Sequence, residues 1–366
     1  GSFLWASKEK IAPAAAEIPK SIEIQILDFV KVATLKNEKH HNLHILLCGG
    51  AGYIGSHMAK LLSESGFELT VLDNLSTGHK EALRWGDFVE ADIRDADALD
   101  MIFSSREIDA VMHFSAKSLV GESVTHPQMY HDNNVVGSQQ LLDSMCRHKV
   151  DKFIFSSTAA VYGEPNQDSI QENHVTKPIN PYGETKLAVE DMLVRYSDRG
   201  IRSVALRHFN AAGADLSGEI GEAHEPETHL IPNILKSALS GGESRLKIFG
   251  TDYPTPDGTC MRDYVHVSDL ADAHLLALQF LENNEGFNVF NLGSGAGFSV
   301  NQVLQSCEQV LGEPIAHDIE DRRPGDPLVL VATSNKAREI LGWQPKYTEL
   351  KAIVESALNW HRDQPY

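Results

Sequence analysis

The run from His44 to His57 constrains this chain more than any other stretch. His44-Ile45-Leu46-Leu47-Cys48 is a short apolar segment with the length of a buried strand, and Met58-Ala59-Lys60-Leu61-Leu62 opens a helix. Between them Gly49, Gly52 and Gly55 form G-x-x-G-x-x-G. Glycine there permits a tight turn and lets the backbone approach a pyrophosphate at the helix N-terminus. A second apolar run, Phe67 to Leu72, ends in Asp73. An acid at the end of the second strand suits a ribose 2′-hydroxyl and repels a 2′-phosphate, so the expected dinucleotide is NAD rather than NADP. A glycine turn alone is common; strand, turn, helix, strand and acid in that order are what make it informative.

A second constellation lies further along. Tyr182 and Lys186, in Pro181-Tyr182-Gly183-Glu184-Thr185-Lys186, stand four apart and so share one helical face. An ammonium beside a phenol favours the phenolate, which predicts a Tyr182 pKa lowered from its usual value near 10. Upstream, Phe155-Ser156-Ser157-Thr158 supplies a hydroxyl, Thr158, suited to relaying the proton that such a base removes. Tyr-x-x-x-Lys by itself is more often a solvated helix face.

From residue 43 strand and helix patterns alternate, which implies a mostly parallel sheet covered on both faces. Ala110 to Phe114, Val150 to Phe155, Ile201 to Arg207 and Gly286 to Asn291 have strand character, and Met129 to His148 has helical character. After Asn210 the periodicity weakens and Gly, Pro and Asp become frequent, as expected of a second, smaller lobe. The expected class is α/β: a Rossmann-type doubly wound parallel sheet with a smaller, sequence-interleaved α/β substrate lobe. The expected organisation is an accessory extension or tag remnant over 1–42, a nucleotide-binding domain over 43–208 with a returning segment at about 260–300, and a substrate lobe over 209–259 and 301–366. Ile22, Ile24 and Ile26 alternate with polar residues in a window too short to assign.

Bulk properties narrow the class. A chain of 366 residues with a formal net charge of −19 is unsuited to nucleic acid or anionic membrane as its main partner. No apolar run is long enough to span a membrane. Cys48, Cys146, Cys260 and Cys307 are scattered with no C-x-x-C, so neither a disulfide framework nor a zinc motif is indicated. With no signal-peptide core and no arginine in the first 42 residues, a cytoplasmic location is expected.

Further strings join these: Asp73-Asn74-Leu75, Val120-Gly121-Glu122-Ser123, Arg207-His208-Phe209-Asn210, Ile248 to Tyr253, Asp257 to Tyr264, and Arg322-Arg323-Pro324-Gly325-Asp326. Together they resemble the extended short-chain dehydrogenase/reductases of the NAD-dependent epimerase/dehydratase family, most narrowly its UDP-glucose 4-epimerases, from about Leu43 to the C-terminus. The resemblance implies a tightly bound NAD and interconversion of UDP-glucose and UDP-galactose through a 4-keto sugar that rotates and is reduced again. It implies that Tyr182 is the base, Lys186 its partner and Thr158 the relay. It assigns NAD contacts to Gly49, Gly52, Tyr53, Ile54, Gly55, Asp73, Asn74, Asp92, Ile93, Phe114, Asn133 and Lys186. It assigns UDP-sugar contacts to Thr158, Tyr182, Asn210, Leu230, Phe249, Arg262, Arg323, Asp326 and Leu330. A homodimer through the helices at 129–148 and 182–199 is expected, since Leu187, Met192 and Val194 extend the apolar surface beyond one stripe.

Departures from the family pattern matter as well. The position where some epimerases carry a nicotinamide-side lysine is Ser118, with Lys117 one residue earlier. His208 stands where relatives have tyrosine, so its titration is a potential source of pH dependence. His224, Glu225, Glu227 and His229 fit no standard zinc spacing, and no metal is expected; the resemblance places His229 at a uridine-contacting position instead. Gly293-Ser294-Gly295-Ala296-Gly297 lacks a following strand and acid and is read as a turn between lobes rather than a second phosphate loop. Leu330 leaves UDP-N-acetylhexosamines open, and UDP-xylose/arabinose or UDP-glucuronate 4-epimerisation are alternatives. A 4,6-dehydratase would carry an Asp-Glu pair after the threonine, whereas this chain has Ala159-Ala160. A non-catalytic NAD-binding regulator would be expected to lose the Tyr-Lys pair.

Overall fold

The computed structural model describes residues 43–164, 169–241, 245–322, 327–364 and 366. The proposed extension, its Ile22–Ile26 alternation, Arg323 and Asp326 lie outside the described residues.

Chain order begins with strand β1 (His44–Cys48), helix α1 (Tyr53–Glu64), β2 (Glu68–Asp73), β3 (Asp87–Glu90), α2 (Ala96–Ser105) and β4 (Ala110–His113). After two short helical turns come α3 (Gly137–His148), β5 (Lys152–Thr158), α4 (Pro181–Ser197), β6 (Arg202–His208) and β7 (Asn210–Ala212). Then follow α5 (Leu230–Leu239), β8 (Leu246–Phe249), β9 (Met261–His266), α6 (Val267–Phe280), β10 (Phe287–Leu292) and β11 (Gly297–Ser299). The chain closes with α7 (Val300–Leu311), β12 (His317–Glu320), β13 (Val329–Leu330) and α8 (Leu350–Asp363).

Seven strands form one sheet in the order β10-β6-β5-β4-β1-β2-β3, and every pairing in it is parallel. This is the doubly wound α/β sheet expected from the sequence. Alternation along β1 explains why both faces are covered. Ile45 and Leu47 join one core with Met58, Leu62, Leu270 and Ala277; Leu46 and Cys48 join the other with Leu99, Ile102, Leu142 and Val189. Each such fully buried aliphatic side chain stabilises the fold by about 1.5–3 kcal/mol. A smaller layer packs β7, β8 and β9 with α5, α7 and α8 around Ile234, Tyr264, Val303 and Val354. In it β9 lies between β11 and β13 and also pairs with β7, while β12 pairs with β8.

The chain runs from β1 outward through β2 to β3, then returns to β4 on the other side of β1. The crevice at that reversal is the place where open α/β sheets bind ligands. Gly49 follows β1 there with φ +85°, and a Cβ on it would meet the Ser115 nitrogen at 2.5 Å. The stretch expected to be one helix from Met129 is interrupted by a wider turn over His131–Val136 before α3. On α4, Met192 is packed into the sheet core rather than exposed, and Leu187 leans on the cluster around Tyr162. Val194 alone of the three is exposed. Among the described residues no helix is long and apolar enough to cross a membrane.

Candidate active site

The C-terminal end of β5 and the first turns of α4 bring Thr158, Tyr182 and Lys186 together. Asn180 caps α4, its Oδ1 accepting from the Gly183 nitrogen at 2.9 Å, and Pro181 occupies the first turn. Gly183 is needed for the close approach: a Cβ there would stand 2.7 Å from the Ala160 carbonyl oxygen. Thr158 Oγ1 accepts from the Ala160 nitrogen at 3.2 Å, which orients its hydroxyl. Tyr182 and Lys186 are both buried. The Lys186 ammonium donates to the Ser156 carbonyl at 2.8 Å and lies 5.9 Å from the Tyr182 ring centroid.

Electrostatics here differ from the sequence expectation. Burial pushes the Tyr182 phenol up to about 12, with the Thr158 hydrogen bond acting against it. Burial also lowers Lys186 to about 7, opposed by the Glu190 carboxylate. The chain alone therefore does not lower the Tyr182 pKa, because desolvation outweighs an ammonium that is spent on a carbonyl. His208 is no neutral-range switch either: burial lowers it to about 4 despite its bond to the Phe209 carbonyl.

At the nucleotide end, α1 starts on Gly52 with no side-chain cap and no acid in its first turn. A Cβ on Gly55 would stand 2.1 Å from the Gly49 carbonyl oxygen, whereas one on Gly52 meets nothing nearer than 3.5 Å. Gly55 closes the turn, and Gly52 leaves its outer side open. The Tyr53 hydroxyl donates to the Gly213 carbonyl at 2.6 Å, so it is the backbone of Tyr53 and Ile54 that faces the helix start. Asp73 accepts from the Ala51 nitrogen at 3.0 Å and from the Leu75 nitrogen at 2.8 Å. Burial raises its pKa, while these backbone donors favour the carboxylate. Asn74 donates to Asp92 at 2.9 Å, and Ile93 is buried against Gly137. Phe114 faces His274 at 4.7 Å between ring centroids.

Asn133 donates to Asn134 at 3.0 Å, and Asn134 is the residue that fixes the loop after β4. Its side chain bonds the Lys117 nitrogen and carbonyl at 2.9 and 3.0 Å and reaches Thr185 on α4 at 3.0 Å. Sequence reasoning missed Asn134, because its importance comes from the widened turn that carries it. The open glycine turn, the uncapped α1 and the acid at the end of β2 fit a dinucleotide: Gly49 to Ile54 would hold its pyrophosphate and Asp73 its ribose.

On the opposite side, Asn210 donates to the Asp263 carbonyl at 2.9 Å, and Arg262 donates to the Met261 and Pro327 carbonyls at 2.8 Å each. Leu330 pairs in register with Arg262 and packs near Tyr162 and Phe209. Leu230 opens α5 and Phe249 closes β8. The loop Gly293-Ser294-Gly295 wraps an internal carboxylate, that of Asp263. Asp263 accepts from the Ser294 nitrogen at 2.7 Å, the Ser294 hydroxyl at 2.6 Å and the Gly295 nitrogen at 3.2 Å.

A doubly wound sheet with an open glycine turn at its reversal, and a Tyr-Lys pair beside a strand-end hydroxyl, defines a dinucleotide-dependent enzyme of the short-chain dehydrogenase/reductase type. The sequence profile of the NAD dependent epimerase/dehydratase family matches residues 45–293. The chain belongs to that family, and NAD is its cofactor. It is 54% identical over 323 residues to a UDP-glucose 4-epimerase of Halalkalibacterium halodurans, covering 88% of this chain and 96% of that protein. A UDP-glucose 4-epimerase of Rhizobium meliloti is 49% identical, covering 87% and 97%. The crystal structure of the Brucella ovis UDP-glucose 4-epimerase in complex with NAD is similar with a TM-score of 0.84 at 48% identity, covering 86% of this chain and 97% of that one.

Proposed function

We propose that this chain is an isomerase that interconverts UDP-glucose and UDP-galactose by inverting C4 of the hexose. The observation that carries the reading is the grouping of Thr158, Tyr182 and Lys186 beside the nucleotide crevice, followed directly by Ala159 and Ala160. Removing and returning one hydroxyl proton needs the trio alone. Eliminating water would need further acid–base groups, and the two alanines supply none. Relatives named UDP-glucose 4-epimerase at about half identity support the same choice of substrate.

Tyr182 accepts the proton of the 4-hydroxyl, and Thr158, oriented by Ala160, bridges phenol and sugar oxygen. When bound, NAD supplies reversible hydride acceptance at C4 and a cationic ring beside the phenol. Lys186 holds the ribose edge of that site and, in its ammonium form, adds positive charge near Tyr182. The 4-keto sugar turns over and takes hydride on its other face, while Tyr182 returns the proton. On the substrate side, Asn210, Leu230, Phe249 and Leu330 line the sugar nucleotide and Arg262 meets the diphosphate; the resemblance assigns Arg323 and Asp326 to the same ligand. Four free thiols among the described residues accord with a reducing, cytoplasmic setting.

The test is turnover of UDP-galactose to UDP-glucose by the purified chain without added NAD, since a zero net redox change leaves the cofactor in place. Tyr182→Phe should lower the rate by about 10²–10⁴ while NAD absorbance stays with the protein. Full activity in Tyr182→Phe would refute the base assignment. No turnover of UDP-galactose, with turnover of UDP-GlcNAc, UDP-xylose or UDP-glucuronate instead, would move the substrate assignment.

A further inference from the structure

The segment from Glu222 to His229 joins two parts of the site and contains a cluster of titratable side chains apart from the catalytic trio. Glu222, His224, Glu227 and His229 place one potential ligand atom each within 4.8 Å of one another. His229 Nδ1 is 2.5 Å and His224 Nδ1 3.1 Å from the same Glu222 oxygen. Glu227 lies 3.4 Å from His229 and 3.9 Å from His224. The sequence pairing of the histidines with Glu225 and Glu227 therefore names one wrong acid: Glu222 takes the place of Glu225, giving the spacing Glu-x-His-x-x-Glu-x-His.

We propose that these four side chains bind one divalent transition-metal cation of the zinc type, fastening the segment that leads into α5. Three observations carry it. The side chains of Glu222 and Glu227 are 4% and 5% exposed, and two carboxylates so placed demand compensating positive charge. Two imidazolium ions would provide it, and so would one divalent cation with two neutral imidazoles, at the same net charge. Hydrogen bonding alone distributes donors unevenly. Both Nδ1 atoms crowd one Glu222 oxygen, while Glu227 Oε2 is buried with no hydrogen-bond partner, the Lys236 ammonium standing 4.0 Å away.

A central cation serves all four groups. Tetrahedral zinc with ligand bonds of about 2.0–2.1 Å sets neighbouring ligand atoms about 3.4 Å apart. The separations of 3.1 and 3.4 Å are near that value already, and the shortest pair must open by about one ångström.

The surroundings hold the ligands as an outer shell does in metal sites. The Thr228 and His229 nitrogens donate to Glu227 Oε1 at 2.8 and 2.9 Å. Trp360 donates to the Glu222 carbonyl at 2.9 Å. The cluster is also tied to the site: His224 meets the Tyr53 ring edge-on with centroids 6.2 Å apart, and Leu230 follows His229 directly. The inference concerns the protein alone and stands whichever sugar nucleotide is turned over.

The full chain, stripped with a chelator, would be titrated with Zn²⁺ by calorimetry and with Co²⁺ by visible absorbance. Expected are one equivalent of tight binding and an intense tetrahedral Co²⁺ spectrum that Zn²⁺ abolishes. His224→Ala and Glu227→Gln should each lose that equivalent, and Glu225→Gln should keep it. His40 and His41 remain in every variant, so they cannot account for a loss. Near-ultraviolet circular dichroism shows whether a variant is folded; if neither ligand variant folds, the wild-type Co²⁺ spectrum decides. No bound equivalent, an octahedral spectrum, or binding that persists in folded His224→Ala and Glu227→Gln would overturn the site and leave a hydrogen-bonded ion cluster.

Discussion

Arg207 and Glu190 meet in the interior just behind the catalytic threonine. Arg207 Nε donates to Glu190 at 3.0 Å, its Nη1 donates to the Tyr162 hydroxyl at 2.9 Å, and Tyr162 donates to Asn291 at 2.6 Å. Ser157, next to Thr158, donates to Glu190 at 2.6 Å. Breaking such a pair leaves a buried charge without its partner, so Arg207→Met should cost about 3–5 kcal/mol, read as a lower urea midpoint. Arg207→Met combined with Glu190→Leu should recover a substantial part of that loss; a double variant as unstable as the single would contradict the account. At this scale the sequence was legible wherever a residue acts through local spacing. Tyr182 and Lys186 share a face because they are four apart, and Asp73 ends a strand. It was silent on Glu190 and Asn134, whose partners Arg207 and Thr185 lie far along the chain and are set by packing, and on Glu222, which an irregular loop with no periodicity brings against His224 and His229. The Tyr182 pKa was misjudged for a related reason: spacing shows the neighbouring lysine but not how completely the phenol is desolvated.

The helix α4 shows how an element delivers chemistry. Its N-terminus carries the Asn180 cap, Pro181, and a glycine at the one position where the Ala160 carbonyl presses in. Gly183→Ala must push back a backbone atom 2.7 Å away, displacing Tyr182 and Lys186 together. Turnover should fall at least tenfold with KM for the sugar nucleotide little changed, because a shift in the reacting geometry acts on the chemical step. Unchanged kcat would mean that the turn after β5 yields instead. Strands and helices here were readable from alternating apolar runs. The widened turn over His131–Val136 was not, since its residues have no periodicity distinct from an ordinary helix, yet it aims Asn134 at the loop after β4.

Across the whole molecule, buried histidines set the response to acid. Burial lowers His113, His266 and His274 to about 3, assisted at His113 by the Lys186 charge. The unfolded chain takes up protons at these side chains below about pH 6.5, and the native chain does not until far lower. Their contribution to stability is present above about pH 6.5 and is lost as pH falls from there toward 3. Asp269 acts with the opposite sign, because burial raises it to about 6 and its native form holds a proton sooner. His224 and His229 act with the sign of Asp269, because the Glu222 and Glu227 carboxylates, working against burial, raise them to about 9 and about 10. His57 and His208, which burial lowers to about 4, join the other three. The five lowered histidines outweigh the opposing groups, so the urea midpoint should drop between about pH 7 and pH 5 by an amount equivalent to a few kcal/mol. A midpoint that rises on acidification would show that the opposing groups dominate. The doubly wound class was legible from the alternation of strand and helix patterns, and the return of a strand near residue 290 was visible as an isolated apolar run. Which edge it joins was not, because strand order is set by tertiary pairing.

That returning strand has a consequence for how the chain is made. β10 covers the outer edge of β6 and brings Asn291 to Tyr162. Yet 84 residues separate the last residues of the two strands, His208 and Leu292. At about 5–20 residues per second, a ribosome spends roughly 4–17 seconds on that interval, and β6 meanwhile presents an unpaired edge to the surrounding cell. The large sheet cannot close before β7, α5, β8 and β9 of the small layer have been synthesised, so nascent chains that stall within that interval are the ones that call on chaperones.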